Sequence, residues 1–186
     1  MAEPLMTRRF TVDEYYRMAQ AGVLTEDDRV ELIEGQIVLR EPIGPYHAGT
    51  VRRLNRLWTT RLGARAVVDV QNPVRLGAHS EPQPDLVLLR PRHDFYADTH
   101  PEPADVLLAI EVGGTSAEGD RTVKMPLYAR AGIREAWLVD LAADRVEVYR
   151  RPSDEGYRDV RRLGRDQTLS AEAFPDVTLT VGDLLG

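Results

Sequence analysis

The chain has 186 residues, 42% hydrophobic and 29% charged, which suits one globular domain with a real core rather than a disordered chain. It carries a net charge of −6 and no cysteine. Indiscriminate nucleic-acid binding over the whole surface, disulfide scaffolds, thiolate zinc sites and cysteine nucleophiles are thereby excluded, though a local basic groove is not. No apolar run approaches the roughly 20 residues that cross a bilayer, and residues 1–10 lack a signal peptide's apolar stretch, so a cytoplasmic protein is expected.

Residues 11–21 read as a short helix, capped by Thr11 with Glu14 three residues on and stopped by Gly22. Residues 29–33 and 36–40 form a hairpin turning at Glu34-Gly35. After a loop at 42–45, a second helix covers about 47–62, with Val51, Leu54, Trp58 and Leu62 as its apolar stripe. Strands are expected at 66–70 and 73–76. Stronger ones lie at 85–90 (DLVLLR) and 106–112 (VLLAIEV), whose nearly continuous apolar runs suit central strands covered on both faces. A Gly/Ser/Thr loop at 113–119 precedes a helix over 120–131, closed by Gly132 and kinked or delayed by Pro126. A buried strand at 136–140 and antiparallel strands at 146–149, 157–162 and 177–181 complete the chain. No repeat or linker divides it, so residues 1–186 are expected to form a single α/β or α+β domain, a mixed central sheet flanked by helices.

The two central strands carry one carboxylate each, Asp85 and Glu111. If they pair antiparallel with Arg90 opposite Val106, Asp85 falls opposite Glu111, with Cβ atoms about 5 Å apart. Two carboxylates that close repel, and a divalent cation would resolve the conflict. The alternative is that both acids end their strands in solvent. Of 24 Lys and Arg residues only one is lysine, Lys124, early in the helix after the Gly113-Gly114 loop. Gly113 projects no side chain, so space above the strand end could admit Lys124, whose ammonium could stabilise developing negative charge. An exposed lysine on a solvated face is the other reading. Thr115 and Ser116 do not have P-loop spacing. His79, His93 and His100 show no compact ligand spacing and read as loop residues.

Pro84-Asp85 before an apolar strand, a second strand ending in Glu111-Val112, and a downstream lysine resemble the PD-(D/E)XK nuclease superfamily. The resemblance is closest to its putative restriction endonuclease family. It is carried by Glu31-Leu32-Ile33-Glu34-Gly35, by His47 opening a helix, and by Asp120, Lys124 and Tyr128-Ala129-Arg130-Ala131-Gly132-Ile133 leading into Trp137-Leu138-Val139-Asp140. It spans roughly residues 11–140. The resemblance implies a restriction endonuclease-like fold and phosphodiester hydrolysis dependent on Mg²⁺ or Mn²⁺. Asp85 and Glu111 would hold the metal, and Lys124 would serve as the motif lysine, since residue 113 is Gly where the simplest pattern has Lys. Glu31 and His47 would be accessory site residues. Arg52, Arg53 and Arg56, on the helix after His47, would contact DNA phosphates. Cutting both strands of a duplex favours a homodimer. A non-catalytic, nuclease-like module for nucleic-acid binding or assembly is the main alternative, and a carboxylate hydrolase acting on another substrate the third.

Overall fold

The computed structural model describes residues 7–25, 27–114 and 117–186. Helix α1, Val12–Gln20, starts where expected, and Thr11 and Glu14 close a reciprocal cap at 3.0 and 3.1 Å. Strands β1 (Val30–Ile33) and β2 (Gln36–Leu39) form a two-stranded antiparallel ribbon. Glu34 and Gly35 both have positive φ, at 48° and 78°, as such tight hairpin turns require. At Gly35 a side chain would also collide with Arg9. Helix α2, Pro45–Leu62, follows directly, with Gly44 and Pro45 at its start. Its predicted stripe is its buried face: Val51, Leu54, Trp58 and Leu62 are each 5% exposed or less.

The central sheet contains β3 (Val67–Asp69), β4 (Leu86–Leu89), β5 (Val106–Gly113), β6 (Glu135–Asp140), β7 (Arg145–Ser153) and β8 (Gly156–Gly164), in that spatial order. All neighbours are antiparallel except β5 and β6, which run parallel and are joined through a helical crossover. Each face carries its own core. Leu86, Leu88, Leu108, Ile110, Trp137 and Val148 pack against α2 and the C-terminal segment. Val87, Leu89, Ala109, Ala136 and Leu138 pack against Met125, Tyr128 and Ile133 from the crossover. Burial on both faces is why β4 and β5 read as unbroken apolar runs.

The crossover comprises α3 (Ala117–Gly119), a π-turn over Asp120–Lys124, and α4 (Met125–Arg130). Pro126 delays the regular α-helix, which begins only at Met125 with Pro126 in its first turn. Its missing N–H is accommodated by the wide turn just before it, where Met125 N–H bonds the Asp120 carbonyl. Thr115 and Ser116 lie outside the described residues.

Three expectations need correction. Residues 73–76 do not form a strand. Val74 and Leu76 donate to the Pro82 and Ser80 carbonyls, but the facing segment contains Pro82 and Pro84, which have no N–H to return. Residues 177–181 do not form one strand either. Only β10 (Leu179–Thr180) pairs, with β9 (Thr168–Leu169), and Thr180 then caps a short helix α5, Val181–Leu185. Finally, Val106 faces Leu89 rather than Arg90, because an irregularity between Leu88 and Leu89 shifts the register by one.

Candidate active site

The register shift lies at the far end of the hairpin. At the near end Leu86 pairs Ile110, and one further step puts Asp85 opposite Glu111, as the spacing had suggested. Neither acid ends its strand in solvent: Asp85 is 6% and Glu111 1% exposed. The Asp85 carboxylate has three partners. Oδ1 meets His47 Nε2 at 3.0 Å and accepts from Gln71 Nε2 at 3.1 Å, while Oδ2 accepts from the Val112 N–H at 2.9 Å. Burial works against its charge, yet the His47, Val112 and Gln71 bonds hold the Asp85 pKa below the ordinary aspartate value. The same pair raises the His47 pKa, chiefly through its bond to Asp85.

Glu111 stands between Tyr128, whose hydroxyl donates to Oε1, and Lys124, whose Nζ lies 3.3 Å from either carboxylate oxygen. Lys124 Nζ also lies 3.5 Å from Glu31 Oε1 and 3.9 Å from Asp120 Oδ1. Glu31 Oε2 in turn accepts from the Gln83 N–H at 2.9 Å. Burial pushes Glu111 well above the usual carboxylate range. The Lys124 charge draws it down, and the neighbouring Asp120 and Asp85 push it further up. Burial opposes the Lys124 charge, but four surrounding carboxylates outweigh it and keep the ammonium protonated. The cluster thus gathers the carboxyl groups of Glu31, Asp85, Glu111 and Asp120 around the Lys124 ammonium, with the His47 imidazole on Asp85, at the end of the central hairpin.

Residue 113 is crowded by the crossover. A Cβ at residue 113 would sit 2.6 Å from the Ala117 Cα, so the start of the crossover fills the space above the strand end. Residue 113 therefore has no room for a side chain of its own, and the ammonium beside Glu111 comes from Lys124 on the π-turn of the crossover. That turn is anchored on its other side by Arg121. Its guanidinium bonds Glu118 at 2.7 Å, Asp140 at 2.9 Å and Glu147 at 3.1 Å.

Of the expected site residues, Asp85, Glu111, Lys124, Glu31 and His47 come together. Arg52, Arg53 and Arg56 do not join them. At about 100° per helical residue they lie roughly 140°, 120° and 180° around α2 from His47, on its exposed outer face. Arg53 is also engaged, donating to the Leu185 carbonyl at 2.8 Å. Two participants escaped the sequence reading. Tyr128 had a usable signal, four residues after Lys124 and so on the same helical face. Gln71 had none, because it reaches Asp85 from an irregular segment at a φ of 56°.

Asp85 and Glu111 suit a hard divalent cation by donor chemistry, two carboxylates brought together at one end of the central hairpin. Among the described residues, no three His, Asp or Glu side chains form a ready-made coordination shell. A cavity of about 790 Å³, lined by Arg90, Glu102, Val106, Gly132, Arg134 and Glu172, lies at the opposite end of β4 and β5.

A mixed six-stranded sheet with flanking helices and an acidic cluster at its central hairpin defines the restriction endonuclease-like fold. The chain belongs to the Uma2 family, described as "putative restriction endonuclease", whose model matches residues 12–182. It is also similar to the crystal structure of a putative nuclease belonging to DUF820 from Anabaena variabilis ATCC 29413. That likeness has a TM-score of 0.75 at 18% identity, covering 95% of this chain and 97% of the other, and speaks to the fold. No curated protein matches the chain. No helix among the described residues is long and apolar enough to cross a membrane.

Proposed function

We propose that this chain is a metal-dependent DNA endonuclease, working as a homodimer in the cytoplasm. The observation that carries the reading is the convergence of Glu31, Asp85, Glu111 and Asp120 on Lys124. Asp85 and Glu111 would hold Mg²⁺ or Mn²⁺, which supplies Lewis acidity and a nucleophilic water at neutral pH. His47, Gln71 and the Val112 N–H fix the orientation of Asp85. Lys124 is held by Glu31 and Asp120 so that its ammonium can offset charge growing on a phosphate oxygen. Arg52 and Arg56 lie on a helix without a single acid and would take backbone phosphates away from the cut, along the outer face of α2.

The test is plasmid cleavage by the wild type, Asp85→Asn and Glu111→Ala, with Mg²⁺, Mn²⁺ or EDTA. The reading expects metal-dependent nicking that both folded variants lose. Full cleavage by both variants would overturn it. The second reading, a non-catalytic nucleic-acid-binding module, is favoured by the absence of a ready-made three-ligand shell among the described residues. It expects DNA binding that Glu111→Ala leaves intact and no cleavage under any condition.

A further inference from the structure

We infer that Tyr128 is a positioning residue for Glu111, fixing one carboxylate oxygen so that the other faces a divalent cation. The inference rests on the endonuclease reading above and adds a residue and a division of labour to it.

Glu111 is 1% exposed, so solvent cannot orient its carboxylate. Two side chains do so instead, and they differ in kind. Tyr128 is fully buried, and its ring packs with Met125, Ile133, Ala136 and Leu138. Its hydroxyl therefore has a fixed origin and meets Oε1. Being neutral, it can keep that bond while a cation takes Oε2, in the way partners behind a ligating carboxylate usually act. Lys124 lies equally near both oxygens and carries a charge. It competes with an incoming cation for the same atom and must yield.

The two donors therefore have opposite effects on metal binding, which a general loosening of the site would not produce. The phenyl ring of Tyr128→Phe fills the same space and removes only the donor, leaving Oε1 buried without it.

The experiment titrates Mn²⁺ into the full-length wild type, Tyr128→Phe and Lys124→Met by calorimetry, with a thermal melt of each protein. Tyr128→Phe should bind Mn²⁺ roughly 10- to 100-fold more weakly. Lys124→Met should bind it more tightly than the wild type. Unchanged affinity in Tyr128→Phe, or shifts of both variants in one direction, would overturn the inference while leaving the endonuclease reading standing. No Mn²⁺ binding by the wild type would remove both.

Discussion

Acidification should loosen this protein at Glu147. Its carboxylate is completely buried on β7. It accepts from Arg121 at 3.1 and 3.2 Å, from Arg145 at 2.7 Å and from the Tyr149 hydroxyl at 2.5 Å. Burial alone would raise its pKa, but those donors outweigh it and bring the value from 4.5 down to about 2. A carboxyl depressed that far contributes on the order of 3 kcal/mol at neutral pH. That is an upper figure, because Arg145 and Arg162 are partly exposed and screened. Since the folded value lies below the unfolded one, the contribution is complete above about pH 5 and is lost as pH falls toward 2. Glu147→Gln should therefore melt below the wild type at pH 7, by no more than roughly 6–12 °C. The gap should close progressively as the wild type is acidified. Thermal melts of both proteins between pH 7 and pH 2 test this, and a gap that is absent or independent of pH would refute the electrostatic account. Because Glu147 anchors Arg121, the variant should also lose cleavage activity.

Two further outcomes follow from the geometry. Gly113→Ala drives a methyl into the Ala117 backbone. It should cost roughly 1–3 kcal/mol and reduce cleavage by shifting the turn that carries Lys124; a variant that melts and cuts like the wild type would show that this contact is not tight. Arg52→Ala and Arg56→Ala should each lower the slope of log affinity for DNA against log salt by about 1, with Mn²⁺ affinity unchanged. An unaltered slope would move the DNA path off the outer face of α2.

The parts of this molecule that local chemistry dictates were legible in the sequence. Thr11 and Glu14 cap a helix whatever surrounds them. Glu34-Gly35 makes a tight turn, and the apolar runs of β4 and β5 imply cover on both sides. Asp85 and Glu111 face each other as an assumed register had them, although the pair that register was hung on, Arg90 and Val106, is displaced by the irregularity at Leu88 and Leu89. What stayed hidden depends on contacts between distant segments. Whether 73–76 becomes a strand is decided by prolines in the segment opposite it. That 181–185 coils into a helix depends on Thr180 and Asp183, a capping pair obscured by the apolar run before it. The partners of Asp85 and Arg121 come from Gln71, Asp140 and Glu147, whose spacing in the chain announces nothing.

The acidic cluster also has a history in time. Glu31, Asp85, Glu111 and Asp120 sit on four separate stretches of chain, and contacts between distant stretches form late because loops must close first. A chain that has made only its hairpin holds one of these acids, and a chain that has paired β4 with β5 holds two. The four therefore meet only where the hairpin, the β4–β5 pair and the crossover are all in place. A molecule in which any one of these is detached holds no complete cluster.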